Sequence, residues 1–308
     1  MAVMTRHRHA WLLEMTSTLK KYVLFAVAAI VLPGLVFYWA QSRAPHLATW
    51  QWNLPAHFPV PRVPADNLMS EEKFQLGRHL FYDKKLSGRG TMACASCHFQ
   101  RLAFTDGNAV SIGASGMPTL RSAQTLANSA YHPFFTWANY SLVSMEHQMM
   151  VPLLGEDPLE MGVNDATLAR ILQRFNDDDN DVQRFQAAFP GEPIRLEHIV
   201  KAIAVFQRAM ISANSKYDQY LLKKAALSEQ EERGRVLFFS NQAQCSQCHG
   251  SFNFNDQVIS ADTTHVKRQF HNTGLYNVGG NGAYPAGNGG IAELSGKPED
   301  MGMFRAAS

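Results

Sequence analysis

The pentapeptide CASCH at 94–98 recurs as CSQCH at 245–249, and this pair constrains the chain more than any other feature. Two thiols three residues apart can each bond a porphyrin edge. The histidine that follows is placed to supply one axial ligand to the iron, so C-x-x-C-H is the pattern of covalent c-type haem attachment. The chain has four cysteines, Cys94, Cys97, Cys245 and Cys248, and all belong to these two units, which leaves none for a structural disulfide. A C-x-x-C pair alone would also suit a redox dithiol or half of a zinc site. Zinc would require the four thiols to converge from distant parts of the chain, and the immediate histidine in both copies favours haem. His98 and His249 are therefore the expected iron ligands. The opposite face of each iron stays open as a question: a second protein ligand makes an electron carrier, and an empty position makes an enzyme.

The surroundings of the two motifs repeat as well. GRHLFY at 77–82 precedes the first and GRVLFF at 234–239 precedes the second. Each copy opens on a helix-start signal, Ser70-Glu71-Glu72 in one and the capping box Ser228-Glu229-Gln230-Glu231 in the other. A glycine-arginine-leucine-phenylalanine run is ordinary at an amphipathic helix end, but its recurrence beside C-x-x-C-H points to duplication. Between the halves Asp165 is expected to cap a helix running towards Phe175. Leu196, Ile199, Val200, Ile203, Met210 and Ile211 follow helical spacing and mark a longer one. Strand signals are sparse, and after Phe270 the chain turns glycine-rich and loop-like (NVGGNGAYPAGNGG). The expected fold is mainly α, with two cytochrome c-like haem domains, one over 70–225 and one from 226 to 308.

The 308 residues suffice for a sizeable core or two. A net charge of +2, with no Lys/Arg block interleaved with aromatics, argues against a nucleic-acid partner. Residues 22–40 (YVLFAVAAIVLPGLVFYWA) form a charge-free apolar run long enough to cross a bilayer as a helix. Arg6, Arg8, Lys20 and Lys21 precede it, which keeps 1–21 cytoplasmic by the positive-inside rule. A cleaved signal peptide is the rival. Bulky Tyr38 before Ala40, and Pro45 after Ala44, make poor cleavage sites. Phe37, Tyr38 and Trp39 suit a membrane interface. The expectation is an uncleaved transmembrane anchor, a proline-rich linker over 41–69, and haem motifs on the periplasmic side of the inner membrane.

Two such haem units in one chain resemble the bacterial di-haem cytochrome c peroxidase and MauG family. The resemblance runs from about Met69 to Arg305. It is carried by GRHLFYDKKLSGRGTMACASCH at 77–98, FTDG at 104–107, FHNTGLYN at 270–277 and DMGMFR at 300–305. FTWANYSLVSMEHQMMVPLLGEDPLEMG at 135–162 is most similar to a MauG-like branch that includes the methanobactin-associated tryptophan-oxidising enzyme. The resemblance implies that the Cys94/Cys97/His98 haem meets hydrogen peroxide and that the Cys245/Cys248/His249 haem passes electrons.

Regulated members carry a histidine after a Ser-Ile-Gly turn that blocks the first iron. Here Ser111-Ile112-Gly113 is followed by Ala114, which implies an open site at rest, with His132 the one nearby histidine that could reach in. The family pattern maps onto Gln148, Pro152 and Glu160-Met161 with a small insertion. Glu160 is thereby the expected distal acid–base group, with Glu156 in reserve. Moving a proton between peroxide oxygens suits a carboxyl whose pKa is raised by burial. Trp137 matches the family tryptophan that shares oxidising equivalents between the haems, although a core aromatic would look the same. Met145, Met149 and Met150 read as packing.

Arg121 is followed by Ser122 where the family has asparagine, which puts its inter-haem calcium in question. The family also continues beyond the position of Ser308, so the resemblance implies a C-terminally truncated second domain. Met301, Met303, Tyr276, Tyr284, His265 and His271 are the candidates left for its distal ligand. The expected activity is peroxide reduction with electrons from a small cytochrome c or cupredoxin. The alternatives are MauG-like oxidation of a tryptophan on a partner protein, and a non-catalytic di-haem electron carrier.

Overall fold

The computed structural model describes residues 50–308. The predicted transmembrane span and the residues before it lie outside them. Among the described residues no helix is long and apolar enough to cross a membrane.

The first helix of the described chain, α1 (Glu71–Tyr82), starts where the sequence says: the Ser70 hydroxyl accepts from Lys73 N at 3.2 Å. Leu76, Leu80 and Phe81 fall on one face and are buried. That face meets the other long apolar helix, which becomes α5 once α2 (Met145–Leu154), α3 (Asp165–Asn176) and α4 (Asp179–Ala188) have been counted. α5 (Leu196–Arg208) is buried on nearly every side from His198 onward. α1 and α5 touch backbone to backbone. A Cβ on Gly77 would stand 1.9 Å from the Ala202 carbonyl oxygen, so glycine alone permits this approach. The core spreads from this contact through α2, α3 and α4, taking in Met145, Met149, Leu153, Ile171, Phe175 and Phe185. Met145 and Met149 are packing residues, and Met150 lies against the same core.

Two boundaries differ from expectation for local reasons. The cap of α3 is Asn164, whose side chain accepts from Thr167 N at 3.1 Å, and Asp165 is the first helical residue. α5 ends at Arg208, so Met210 and Ile211 pack on the core from the chain beyond it. Residues 50–69 hold no helix, and they lie on the protein surface rather than free of it. Asn67 is fully buried and donates to Glu146 at 2.8 Å, and Trp50 packs on Phe74 with ring centroids 5.2 Å apart. Glu146 in turn pairs with buried Arg208 at 2.9 Å, tying α2 to the end of α5.

The remaining helices are short: α6 (Lys216–Leu221), α7 (Glu229–Phe238), α8 (Ser246–His249) and α9 (Ala292–Ser295). The expected capping box opens α7, Ser228 Oγ accepting from Glu231 N at 3.3 Å and Glu231 from Ser228 N at 2.7 Å. No strand forms among the described residues, only isolated bridges such as His271 with Phe304. The fold is mainly helical. The described residues fall within one compact unit, in which later residues are tied to earlier ones. Ile259 N donates to Tyr131 O at 2.9 Å, and Phe252 packs on Phe58 and Tyr131, each with centroids 4.9 Å apart.

The two copies of the repeat differ at their glycines. Gly77 is wedged against α5, whereas Gly234 in α7 has open space where a Cβ would go. Gly77→Ala is expected to destabilise the protein by about 2 kcal/mol or more, because a helix backbone must retreat. Gly234→Ala is expected to be neutral or to stabilise by roughly 0.5–1 kcal/mol through helix propensity. Chemical denaturation of both variants checks the pair.

Candidate functional site

The first motif is a tight turn. Ala93 N donates to Ser96 Oγ at 3.0 Å, while Cys97 N and His98 N both return to Cys94 O, at 3.2 and 3.0 Å. This brings Cys94, Cys97 and His98 to one side of a cavity of about 390 Å³. Phe81 from α1 and Ile203 and Gln207 from α5 supply part of its wall. The α1–α5 contact thus sets the shelf on which the motif rests, with Phe81 6.5 Å from the His98 ring and 6.0 Å from that of Phe104.

His98 is oriented by backbone. Its Nδ1 donates to the Phe104 carbonyl at 2.7 Å, which fixes the tautomer and leaves Nε2 as the unprotonated nitrogen. Burial pushes its pKa below the ordinary histidine value, so the ring is neutral and able to ligate a metal. The second motif repeats the device: His249 Nδ1 donates to Phe254 O, also at 2.7 Å. Phe104 and Phe254 both carry positive φ, 63° and 51°, a left-handed conformation uncommon for a bulky residue. Holding the carbonyl towards the imidazole is the evident use of that conformation. Sequence reading passed over both residues, although the signal was present as Phe-x-Asp after each motif, at 104–106 and 254–256.

The loop after Phe104 reaches the other side of the cavity. Burial alone would raise the Asp106 carboxyl, but hydrogen bonds from Ser111 Oγ (2.7 Å) and Asn108 N (3.0 Å) hold it below the usual range. Asp106 thereby anchors the 111–114 turn. Gly113 fits against Leu159, where a Cβ would sit 2.2 Å from the carbonyl oxygen, and Ala114 N donates to Glu160 O at 2.8 Å. The turn that carries alanine in place of the blocking histidine therefore also positions Glu160.

Gln148 and Pro152, four apart on α2, line the cavity, as do Glu160 and Trp137. Burial raises the Glu160 carboxyl above its ordinary value. Glu156 is exposed and is not among the lining residues, so the structure separates the two candidates. Trp137 is half-buried, its indole N–H donating to Ser122 O at 3.4 Å. Its own carbonyl accepts from Arg305 N at 2.9 Å, which places it where the C-terminal segment meets the cavity wall. His132 also lines the cavity; it is buried and kept neutral by burial and by nearby Arg305, with its Nε2 hydrogen-bonded to Ser308 Oγ at 3.0 Å.

In the second motif, α8 is a single turn that sets Cys245, Cys248 and His249 on adjacent positions, all half-buried. The apolar side chains of Val236, Leu237, Phe239 and Phe254 around it are exposed, an uncovered surface that a porphyrin would cover. Of the six distal candidates, His271 is hydrogen-bonded to Asp256, Tyr284 donates to Asn272 at 3.1 Å, His265 Nδ1 meets Thr264 Oγ1 at 3.0 Å, and Tyr276 packs on Phe304. Met301 is largely exposed and Met303 half-buried. Among the described residues the four thiols do not gather at one point. The sole group of His, Cys and carboxylate ligands among them that could share an ion is His79, Asp83 and Asp181, and there Asp181 is already paired with Lys85 and Arg184. The zinc alternative has no site among the described residues.

A neutral, backbone-oriented histidine beside two thiols on a large cavity fits a c-type haem, and it occurs with a second copy of the same turn in one helical unit. The matching family model is that of the di-haem cytochrome c peroxidases, over residues 71–226. The chain belongs to this family, whose members carry c-type haems. It is 36% identical over 220 residues to the cytochrome-c peroxidase IdrP1 of Denitromonas iodatirespirans, covering 70% of this chain and 54% of the relative. It is 31% identical over 233 residues to the methylamine utilization protein MauG of Methylophilus methylotrophus, covering 73% and 64%. Among solved structures, a MauG-like protein associated with microbial copper homeostasis superposes with a TM-score of 0.82 at 53% identity, over 84% of this chain and 75% of that one. The chain spans about half the length of the first of these curated relatives and under two thirds of the second.

The raised Glu160 carboxyl has a consequence for stability. Its folded-state pKa lies above the value of 4.5 expected when unfolded, so ionising it in place costs stability as pH rises through the folded pKa. Glu160→Gln is expected to melt at a higher temperature than the parent near pH 8, with the gap closing as pH falls below 4.5. Thermal melts of parent and variant across pH check this.

Proposed function

We propose that the chain is a di-haem c-type peroxidase that reduces hydrogen peroxide at the Cys94/Cys97/His98 site. The carrying observation is that Gln148, Pro152 and a half-buried Glu160 line the same cavity as those three residues. A haem bound there would supply the redox-active iron that peroxide cleavage needs. His98, with its tautomer fixed by Phe104 O, would hold that iron. Glu160, on the same cavity, would take a proton from one peroxide oxygen and pass it to the other, which would leave as water. Gln148 orients the bound peroxide by hydrogen bonding, and Pro152 keeps that part of the wall apolar. Two electrons and two protons complete the conversion of one peroxide to two waters.

In this proposal the electrons come from a small cytochrome c or cupredoxin and enter through the half over 226–308, where Cys245, Cys248 and His249 hold a second covalent haem. Trp137, lying between the cavity and the segment that carries Arg305, shares oxidising equivalents between the halves. The first half is the peroxidatic domain over 70–225. The apolar run at 22–40 anchors the protein, with 1–21 in the cytoplasm and both sites on the periplasmic side. Calcium is not assigned, since Ser122 stands where the family has its asparagine ligand.

A second reading, oxidation of a tryptophan on a partner protein, is favoured by two observations: 53% identity to the MauG-like structure, and alanine at 114. A di-haem carrier without catalysis is disfavoured by the same alanine and by the raised Glu160 carboxyl on the cavity, which a carrier would not need.

The ferric, haem-loaded protein is expected to give a high-spin electron paramagnetic resonance signal before any reduction, and Ala114→His is expected to remove it. Only low-spin signals in the parent would sink the open-site reading. Stopped-flow mixing with peroxide is expected to slow by about 10²–10⁴-fold in Glu160→Gln and to be unchanged in Glu156→Gln. Steady turnover with a reduced cytochrome, set against mass analysis of tryptophans in a candidate partner, separates the two enzyme readings.

A further inference from the structure

Arg305 is a buried cation without a counter-charge. The residue is 7% exposed. Its Nε donates to Thr136 O at 3.2 Å and its Nη2 to Gln124 Oε1 at 3.1 Å, both neutral acceptors. Its Nη1 has no hydrogen-bond partner among the described residues. No carboxylate among them forms an ion pair with it: the nearest interacting acid, Asp256, is hydrogen-bonded to His271. Its neighbour His132 is neutral and supplies no negative charge. Burial pushes the guanidinium down to about 10, the mark of a cation desolvated without compensation. Leaving a charge in that state is strongly unfavourable unless an anion completes the site.

The residue borders a defined place. Arg305 lines a cavity of about 380 Å³ together with Trp137 and residues 122–125, and those same residues line the cavity of Cys94, Cys97 and His98. Both acceptors of the Arg305 side chain, Thr136 and Gln124, line the cavity of Cys94, Cys97 and His98. A guanidinium fork matches a carboxylate in shape and charge better than any other side-chain donor.

We propose that this corner is a carboxylate seat in which Arg305 receives a propionate of the first haem, next to Trp137. The inference rests on the haem reading of the Cys94/Cys97/His98 site and adds a partner for the part of the porphyrin most distant in kind from the thioethers. It makes the C-terminal segment part of the first haem site: the residue that closes the propionate edge comes from the DMGMFR stretch at 300–305, while its backbone N–H holds the Trp137 carbonyl. Arg305 is thus a positioning residue that tunes the haem by charge and holds the tryptophan by its main chain.

The test uses the full chain, with covalent haem first verified by a pyridine haemochrome spectrum and by intact mass. Absence of haem at this stage would defeat the underlying site reading and the propionate seat with it, whereas the spectroscopic arms bear on the seat alone. On haem-loaded protein, resonance Raman spectroscopy reads the propionate bending band and a redox titration reads the potential of the first haem. Arg305→Gln is expected to shift the band and lower the potential, because a positive charge that favours ferrous iron is gone. Arg305→Lys is expected to keep the potential near the parent's and still shift the band, since an ammonium does not reproduce the fork. A band unchanged in Arg305→Lys overturns the proposal, and this arm stands even where Arg305→Gln fails to fold. Acetate added to the parent distinguishes the source of the carboxylate. No change in band or potential is expected with the seat filled by a propionate, and a saturable shift lost in Arg305→Lys would instead assign the seat to a free anion and overturn the propionate assignment.

Discussion

The backbone contact between α1 and α5 at Gly77 is the constraint on which the first half depends. With no side chain at that point, the Ala202 carbonyl comes close enough that a methyl group would overlap it. The helices then share one apolar seam. Leu76, Leu80 and Phe81 face Ala202, Ile203 and Phe206, and the aromatic end of the seam becomes the floor beneath His98. Extra separation there would loosen the core and tilt the shelf under His98 together. This is why glycine in the repeat means different things in its two copies. In the first it carries an interhelical contact, and in the second it sits on an exposed turn of α7.

The loop from Phe104 to Ala114 joins the two faces of the cavity. Its first residue offers a carbonyl to His98, its carboxylate at Asp106 grips Ser111, and its last residue donates a backbone N–H to Glu160. An imidazole on one side and a carboxyl on the other are therefore held by a single short stretch of chain. Relative placement of groups that must act on one small molecule is worth more than either group's strength alone. The same economy explains how an alanine at 114 can be compatible with an intact turn. The contact to Glu160 is made by its amide and not by its side chain.

Much of this was legible in the chain before folding. The C-x-x-C-H units, the duplicated G-R-x-L-F stretch and the serine caps are local patterns, and local patterns survive into structure, as Ser70 and Ser228 show. The gathering of Gln148, Pro152 and Glu160 on one cavity followed from family resemblance, and the choice between Glu160 and Glu156 needed burial, which no spacing encodes. Helix ends moved by a residue or two where a neighbouring side chain won the cap, as at Asn164. Phe104, Phe254 and Arg305 were passed over for a physical reason. The first two act through carbonyls, which every residue has. The third matters because of a missing partner, which becomes visible only when all neighbours are in place.

Both haem-motif histidines take their hydrogen bond from main chain, at the same distance, from phenylalanines in the same unusual conformation. A carbonyl cannot be exchanged by a codon change. Side-chain partners of metal-bound histidines can drift from carboxylate to amide, shifting the electron richness of the metal with each step, but here that route is closed to inheritance. With a haem in each half, any divergence in redox character would then come from elsewhere: from the side chains that line each site, or from how much water each half admits. Duplication copied the fixed element and left the adjustable ones free to differ.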